Sequence, residues 1–88
     1  MFSLFGRPKP CRIITTLRDT ESNWHLSKIA KSSDTTYVYV TKLISRMQEE
    51  GLVNIEVRGK KRIVRLTEKG IGVANLVHEL RNKLDGPE

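Results

Sequence analysis

The clearest pattern in the chain is helical. Val40, Leu43, Ile44 and Met47 recur at i, i+3, i+4 and i+7, and Gly51 follows as a C-terminal stop. With Thr36 as the expected N-cap, the spacing predicts a helix over 36–50. At about 100° per residue the four apolar side chains share one side. Val38, Lys42 and Ser45 fall opposite them, and Tyr39 and Arg46 lie on a flank. Upstream, Ile13, Ile14 and Leu17 give one face of a shorter helix from Lys9 to Leu17, with Pro10 in the first turn, where its missing N–H costs nothing. Trp24 to Leu26 reads as a short strand. Ser27 is then the expected N-cap of a brief helix that carries Ile29 and Ala30 and ends near Ser32 or Ser33. Thr67 caps a last helix with Glu68 in its first turn; its stripe runs Val73, Leu76, Val77, Leu80, Leu84, and Gly70 and Gly72 weaken its start.

Residues 53–66, VNIEVRGKKRIVRL, change the period from helical to alternating. A two-residue type II′ turn at Gly59 and Lys60 sets Val53 opposite Leu66, Ile55 opposite Val64 and Val57 opposite Arg62. One face of the hairpin is then apolar, and the other carries Asn54, Glu56, Ile63 and Arg65. Arg58, Lys60, Lys61 and Arg62 stand at the tip, with no local residue expected to neutralise them. The stripe of the last helix exceeds what so short a core covers, which points to a second copy packed against it.

Composition narrows the partner. An 88-residue chain with 38% hydrophobic content suits one small domain. The expected organisation is an arm over 1–8, a folded domain over 9–70 and a terminal dimerisation helix over 71–88. A formal charge of +6 and a pI near 9.8 favour a polyanion. The charge is uneven: residues 7–65 hold 13 basic and 6 acidic side chains, against 3 and 4 in residues 66–88. Cys11 is the only cysteine, so no internal disulfide forms and a reducing cytoplasm is the expected location. The opening MFSLFGRPKP is too briefly apolar for a signal or spanning segment. His25 and His78 are far apart without nearby ligands, and no phosphate loop, paired carboxylate motif or partnered nucleophile occurs. Neither an enzyme, a metal nor a cofactor is expected.

LSKIAKSSDTTYVYVTKLISRMQEEGLV, residues 26–53, resembles the helix-turn-helix of MarR-type and related archaeal or bacterial winged-helix regulators. The matching pieces are Ile29 with Ala30, then Val40 with Leu43 and Met47, then Gly51-Leu52-Val53; RLTEKG, residues 65–70, is similar to the family's closing stretch after the second wing strand. Where the family often has glycine between the two helices stands Asp34, which also tolerates the left-handed conformation. The resemblance implies an α+β winged helix-turn-helix that binds double-stranded DNA and regulates transcription, its third helix in the major groove and its wing on the backbone.

Residue types support that interface on their own terms. Thr36, Tyr37, Val38, Tyr39 and Lys42 are candidates for base edges, with Lys42 donating to guanine and Val38 touching a thymine methyl. Arg46 lies nearer the backbone, Ser27 and Lys28 are phosphate candidates, and Arg58, Lys60, Lys61 and Arg62 form the wing contact. Blander readings stand beside these: a solvated turn for the tip, packing for Tyr37 and Tyr39, and solubility for Lys42 and Arg46. At the level of function, the alternatives are a protein- or RNA-interaction module and a non-specific architectural DNA-binding protein. An effector is left open.

Overall fold

The computed structural model describes residues 7–19 and 21–85, so most of the expected arm over 1–8 and the Leu84 side chain lie outside the description. In chain order the elements are α1 (Pro8–Thr16), β1 (Trp24–His25), α2 (Leu26–Ser32), α3 (Tyr37–Glu49), β2 (Val53–Arg58), β3 (Lys61–Leu66) and α4 (Glu68–Asp85). The architecture is α+β, with one antiparallel sheet in the order β1-β3-β2. Among the described residues one apolar cluster joins Ile13 and Ile14 of α1, Leu17 at its C-cap, Ile29 of α2, Val40, Ile44 and Met47 of α3, Val53 and Val64 of the sheet, and Ala74 of α4.

Two helix ends determine how α3 is held. After α2 the chain turns through a Schellman motif: Thr35 N–H donates to the Ala30 carbonyl at 2.9 Å and Asp34 N–H to that of Lys31 at 3.4 Å. Asp34 takes the left-handed position at φ 54°, the place glycine usually fills. The Ser33 hydroxyl, buried, donates to the Ile29 carbonyl, so the turn is tied from inside. Thr36 then caps α3 by accepting from Tyr39 N–H at 3.1 Å. The same motif ends α3, with Leu52 N–H on the Met47 carbonyl at 2.9 Å, Gly51 N–H on that of Gln48 at 3.0 Å, and Gly51 at φ 77°.

The hairpin has the expected register, from Val53 opposite Leu66 to Arg58 opposite Lys61. Gly59 at φ 59° is followed by a residue without positive φ, as a type II′ turn requires. Three expectations need correction. Ser27 is not the N-cap of α2: His25 is, its Nδ1 accepting from Lys28 N–H at 3.2 Å. Ile63, assigned to the outer face, is buried, because β1 pairs along β3 and sets His25 beside it. Val57, assigned to the inner face, is 69% exposed, since β2 runs out beyond the core.

Thr67 fastens α4 to the far end of α3. Its N–H donates to the Leu52 carbonyl at 2.9 Å and its hydroxyl to that of Gly51 at 2.6 Å, while Gly70 N–H donates to the hydroxyl at 3.0 Å. At Gly70 the two backbones meet so closely that a Cβ would sit 1.9 Å from the Leu52 carbonyl oxygen. Gly72 has open space around it and an ordinary helical φ. The two glycines should therefore respond oppositely to alanine. In urea unfolding, Gly70→Ala is expected to lose about 1–3 kcal/mol through overpacking, whereas Gly72→Ala gains roughly 0.5–1 kcal/mol from helix propensity.

Candidate nucleic-acid interface

The candidate residues come from α2, α3 and the wing, and the packing of α3 determines which of them face outward. Because Val40, Leu43, Ile44 and Met47 are buried, Val38, Lys42, Ser45 and Arg46 are exposed along the other side. Tyr37 is 54% exposed and Val38 61%. Tyr39 is different: it is partly buried against the core, and the Lys9 Nζ lies 5.4 Å from its ring centroid. The start of α1 thereby supports one flank of α3.

The wing approaches the other flank. Lys60, Lys61 and Arg62 line a cleft together with Tyr37 of α3 and with His25, Leu26 and Ser27 at the start of α2. Among the described residues, none of these three wing cations has an acidic partner within salt-bridge distance. Farther along α3, Lys42, Ser45 and Arg46 share a shallow depression with Thr41, Glu49 and Glu50, so the helix is cationic in its middle and acidic at its C-terminal end.

Arg58 departs from the expected unneutralised tip. Its Nε donates to Glu56 Oε1 at 2.8 Å, and Arg65 Nε donates to the other oxygen at 3.3 Å. Arg65 also donates to Asn23 Oδ1 at 2.9 Å, tying the wing to the loop before β1. The pairing was readable, since residues two apart on a strand share a face. Lys28 is also partly committed, its Nζ 4.8 Å from the Trp24 ring centroid and its N–H bonded to His25. Ser27 is exposed beside the cleft.

Two residues that sequence reasoning missed belong to this surface. His25 lines the cleft, its Nδ1 accepting a hydrogen bond from Lys28 N–H. Lys9 reaches Tyr39 from a helix thirty residues away, for which the sequence carries no local signal. Among the described residues there is no cluster of His, Cys, Asp and Glu able to hold a metal.

Three helices around one core, a turn between α2 and α3, and a hairpin followed by a fourth helix constitute the winged helix-turn-helix fold. Solved structures bear out that fold. The chain is similar to AF1382 of Archaeoglobus fulgidus, at a TM-score of 0.83 and 23% identity over 90% of each chain. It is also similar to MepR, a transcription regulator of the Staphylococcus aureus multidrug efflux pump MepA, at a TM-score of 0.80 and 16% identity. That match covers 88% of this chain, which spans 58% of the length of MepR. MepR in its DNA complex matches at a TM-score of 0.79 and 16% identity, over 86% of this chain and 58% of MepR. No protein-family model and no curated protein matches by sequence.

Glu56 gives the wing base a measurable signature. Hydrogen bonds from Arg58 and then Arg65 lower its pKa below the usual glutamate value. A carboxyl depressed in the folded state adds stability above its unfolded pKa and loses it as pH falls through the folded pKa. Carboxyl-detected NMR titration should therefore find Glu56 titrating below the usual glutamate value, and Arg58→Ala should move it upward.

Proposed function

We propose that this chain is a sequence-specific regulator of transcription that binds double-stranded DNA as a homodimer, α3 entering the major groove and the wing tracking the backbone. The observation that carries this reading is the cleft in which Lys60, Lys61 and Arg62 meet Tyr37 at the start of α3. An uncompensated cationic tip beside an exposed helix end offers phosphate contact and groove contact together. MepR, which shares the fold, is a regulator and has been solved with DNA. Within the proposed interface Lys42 reaches base edges, Arg46, Ser27 and Lys28 serve the backbone, and Thr36 and Tyr39 position the helix more than they read it. Arg58, held by Glu56, shapes the wing base.

Salt dependence tests this directly. Each phosphate neutralised contributes about 0.9 to the fall of log K with log salt. Changing Lys60, Lys61 and Arg62 together to alanine should flatten the slope by up to about 2.7 per protomer and weaken all sequences alike. Lys42→Ala should instead change preference between sequences by roughly 1–3 kcal/mol. Elution from a DNA column at low salt would favour a protein-docking module, and tight binding without enrichment in site selection an architectural protein.

The dimer rests on α4. Val73, Ala74 and Val77 face the core, but Leu76 is 66% and Leu80 57% exposed on an 18-residue helix. A second copy covering these leucines would set two copies of α3 against half-sites about 34–36 Å apart. The double variant Leu76→Glu with Leu80→Glu should sediment as a folded monomer and lose preference for palindromic over single half-sites. A parent protein that is monomeric at tens of micromolar would remove the dimer from the proposal.

A further inference from the structure

The outward side of α3 is poor in the side chains that read bases by paired hydrogen bonds. Residues 37–44, YVYVTKLI, contain no Asn, Gln or Arg, and Lys42 is their lone charged donor. Nearby hydroxyls are partly committed to the helix itself. Thr36 Oγ1 accepts from Tyr39 N–H at 3.1 Å, and Thr41 Oγ1 donates to the Tyr37 carbonyl at 2.9 Å, leaving Thr41 only acceptor capacity. What this end presents instead is apolar surface. Val38, 61% exposed, stands at the centre of the outward face, where a valine adds nothing to the core and is a mediocre helix former. Tyr37 stands beside it, 54% exposed, on the side that lines the wing cleft. Glu49 and Glu50 make the opposite end of α3 the one a polyanion avoids.

Resting on the regulator reading above, we infer that α3 reads thymine through its methyl group: Val38 seats against the C5-methyl of a thymine in the major groove, and this apolar contact adds a thymine preference beside the base preference Lys42 supplies. The chemistry is selective because, in unmodified DNA, only thymine carries a methyl group on its major-groove edge. Lys42, four residues on and on the same side of the helix, is one turn away to donate to a neighbouring base. The ligand class is therefore a duplex whose half-sites hold a thymine at the position facing Val38.

Uracil pairs as thymine does and lacks only that methyl, so it isolates the contact. Sites would be selected from two random duplex libraries, one with thymine and one with uracil throughout, and the selected thymine site would be remade with uracil at single positions. At one position per half-site, uracil should weaken binding about three- to fivefold, the size of burying one methyl group. The salt slope should not change. Val38→Ser, which alters only an exposed side chain, should keep the parent's circular dichroism and bind the two versions to within about twofold. Equal affinity for uracil and thymine at every position, or full thymine preference in Val38→Ser, would overturn the inference. Enrichment from both libraries with uracil selected as strongly as thymine at the position facing Val38 would overturn it while leaving the regulator reading standing. Binding without enrichment from either library would overturn both.

Discussion

The Leu52 carbonyl is the point on which the geometry turns. It accepts the Thr67 N–H, and Gly70 packs against it with no room for a side chain. Three elements meet there: the end of α3, the beginning of β2 and the first turn of α4. Thr67 fixes the same spot by donating to the Gly51 carbonyl and receiving Gly70 N–H, and Lys69 adds a bond to the Glu50 carbonyl at 3.0 Å. Both strands of the hairpin are anchored to this knot at their core ends. The wing consequently leaves the body in a direction set by backbone hydrogen bonds, not by the charges at its tip.

Upstream, the left-handed Asp34 plays the corresponding part, setting the angle between α2 and α3 through a motif that needs one residue of positive φ and is here backed by the buried Ser33 hydroxyl. From there α3 is braced on both sides, by the Lys9–Tyr39 contact and by the packing of the sheet. The charge arrangement follows from this bracing. Arg58 and Arg65 are held by Glu56, Lys28 rests on Trp24 and Lys9 on Tyr39, so fewer cations face solvent unaccompanied than the composition alone implies. Those at the wing tip and at Lys42 and Arg46 are in that smaller group.

Much of this was legible in the sequence because the strongest signals were local. A two-residue turn fixes the register of a whole hairpin, and four apolar residues at helical spacing fix the inward side of α3. Failures occurred where a partner was remote or a residue worked out of type. His25 replaced the expected Ser27 because an imidazole nitrogen can accept an N–H as a hydroxyl oxygen does. Ile63 looked solvated until a third strand was laid beside β3, and Val57 looked buried because alternation says nothing about where a core ends. Gly70 read as a helix weakness, when in fact it makes room for a neighbouring carbonyl.

Trp24 is the chain's single tryptophan. Its indole N–H donates to the Asp19 carbonyl at 2.8 Å, the residue as a whole is 9% exposed, and its backbone is paired to Val64 in the central strand. The molecule therefore carries one optical label, lodged where helix and sheet join and set back from the outward side of α3. Its emission follows the integrity of the body and also senses Lys28, whose ammonium lies 4.8 Å from the ring centroid.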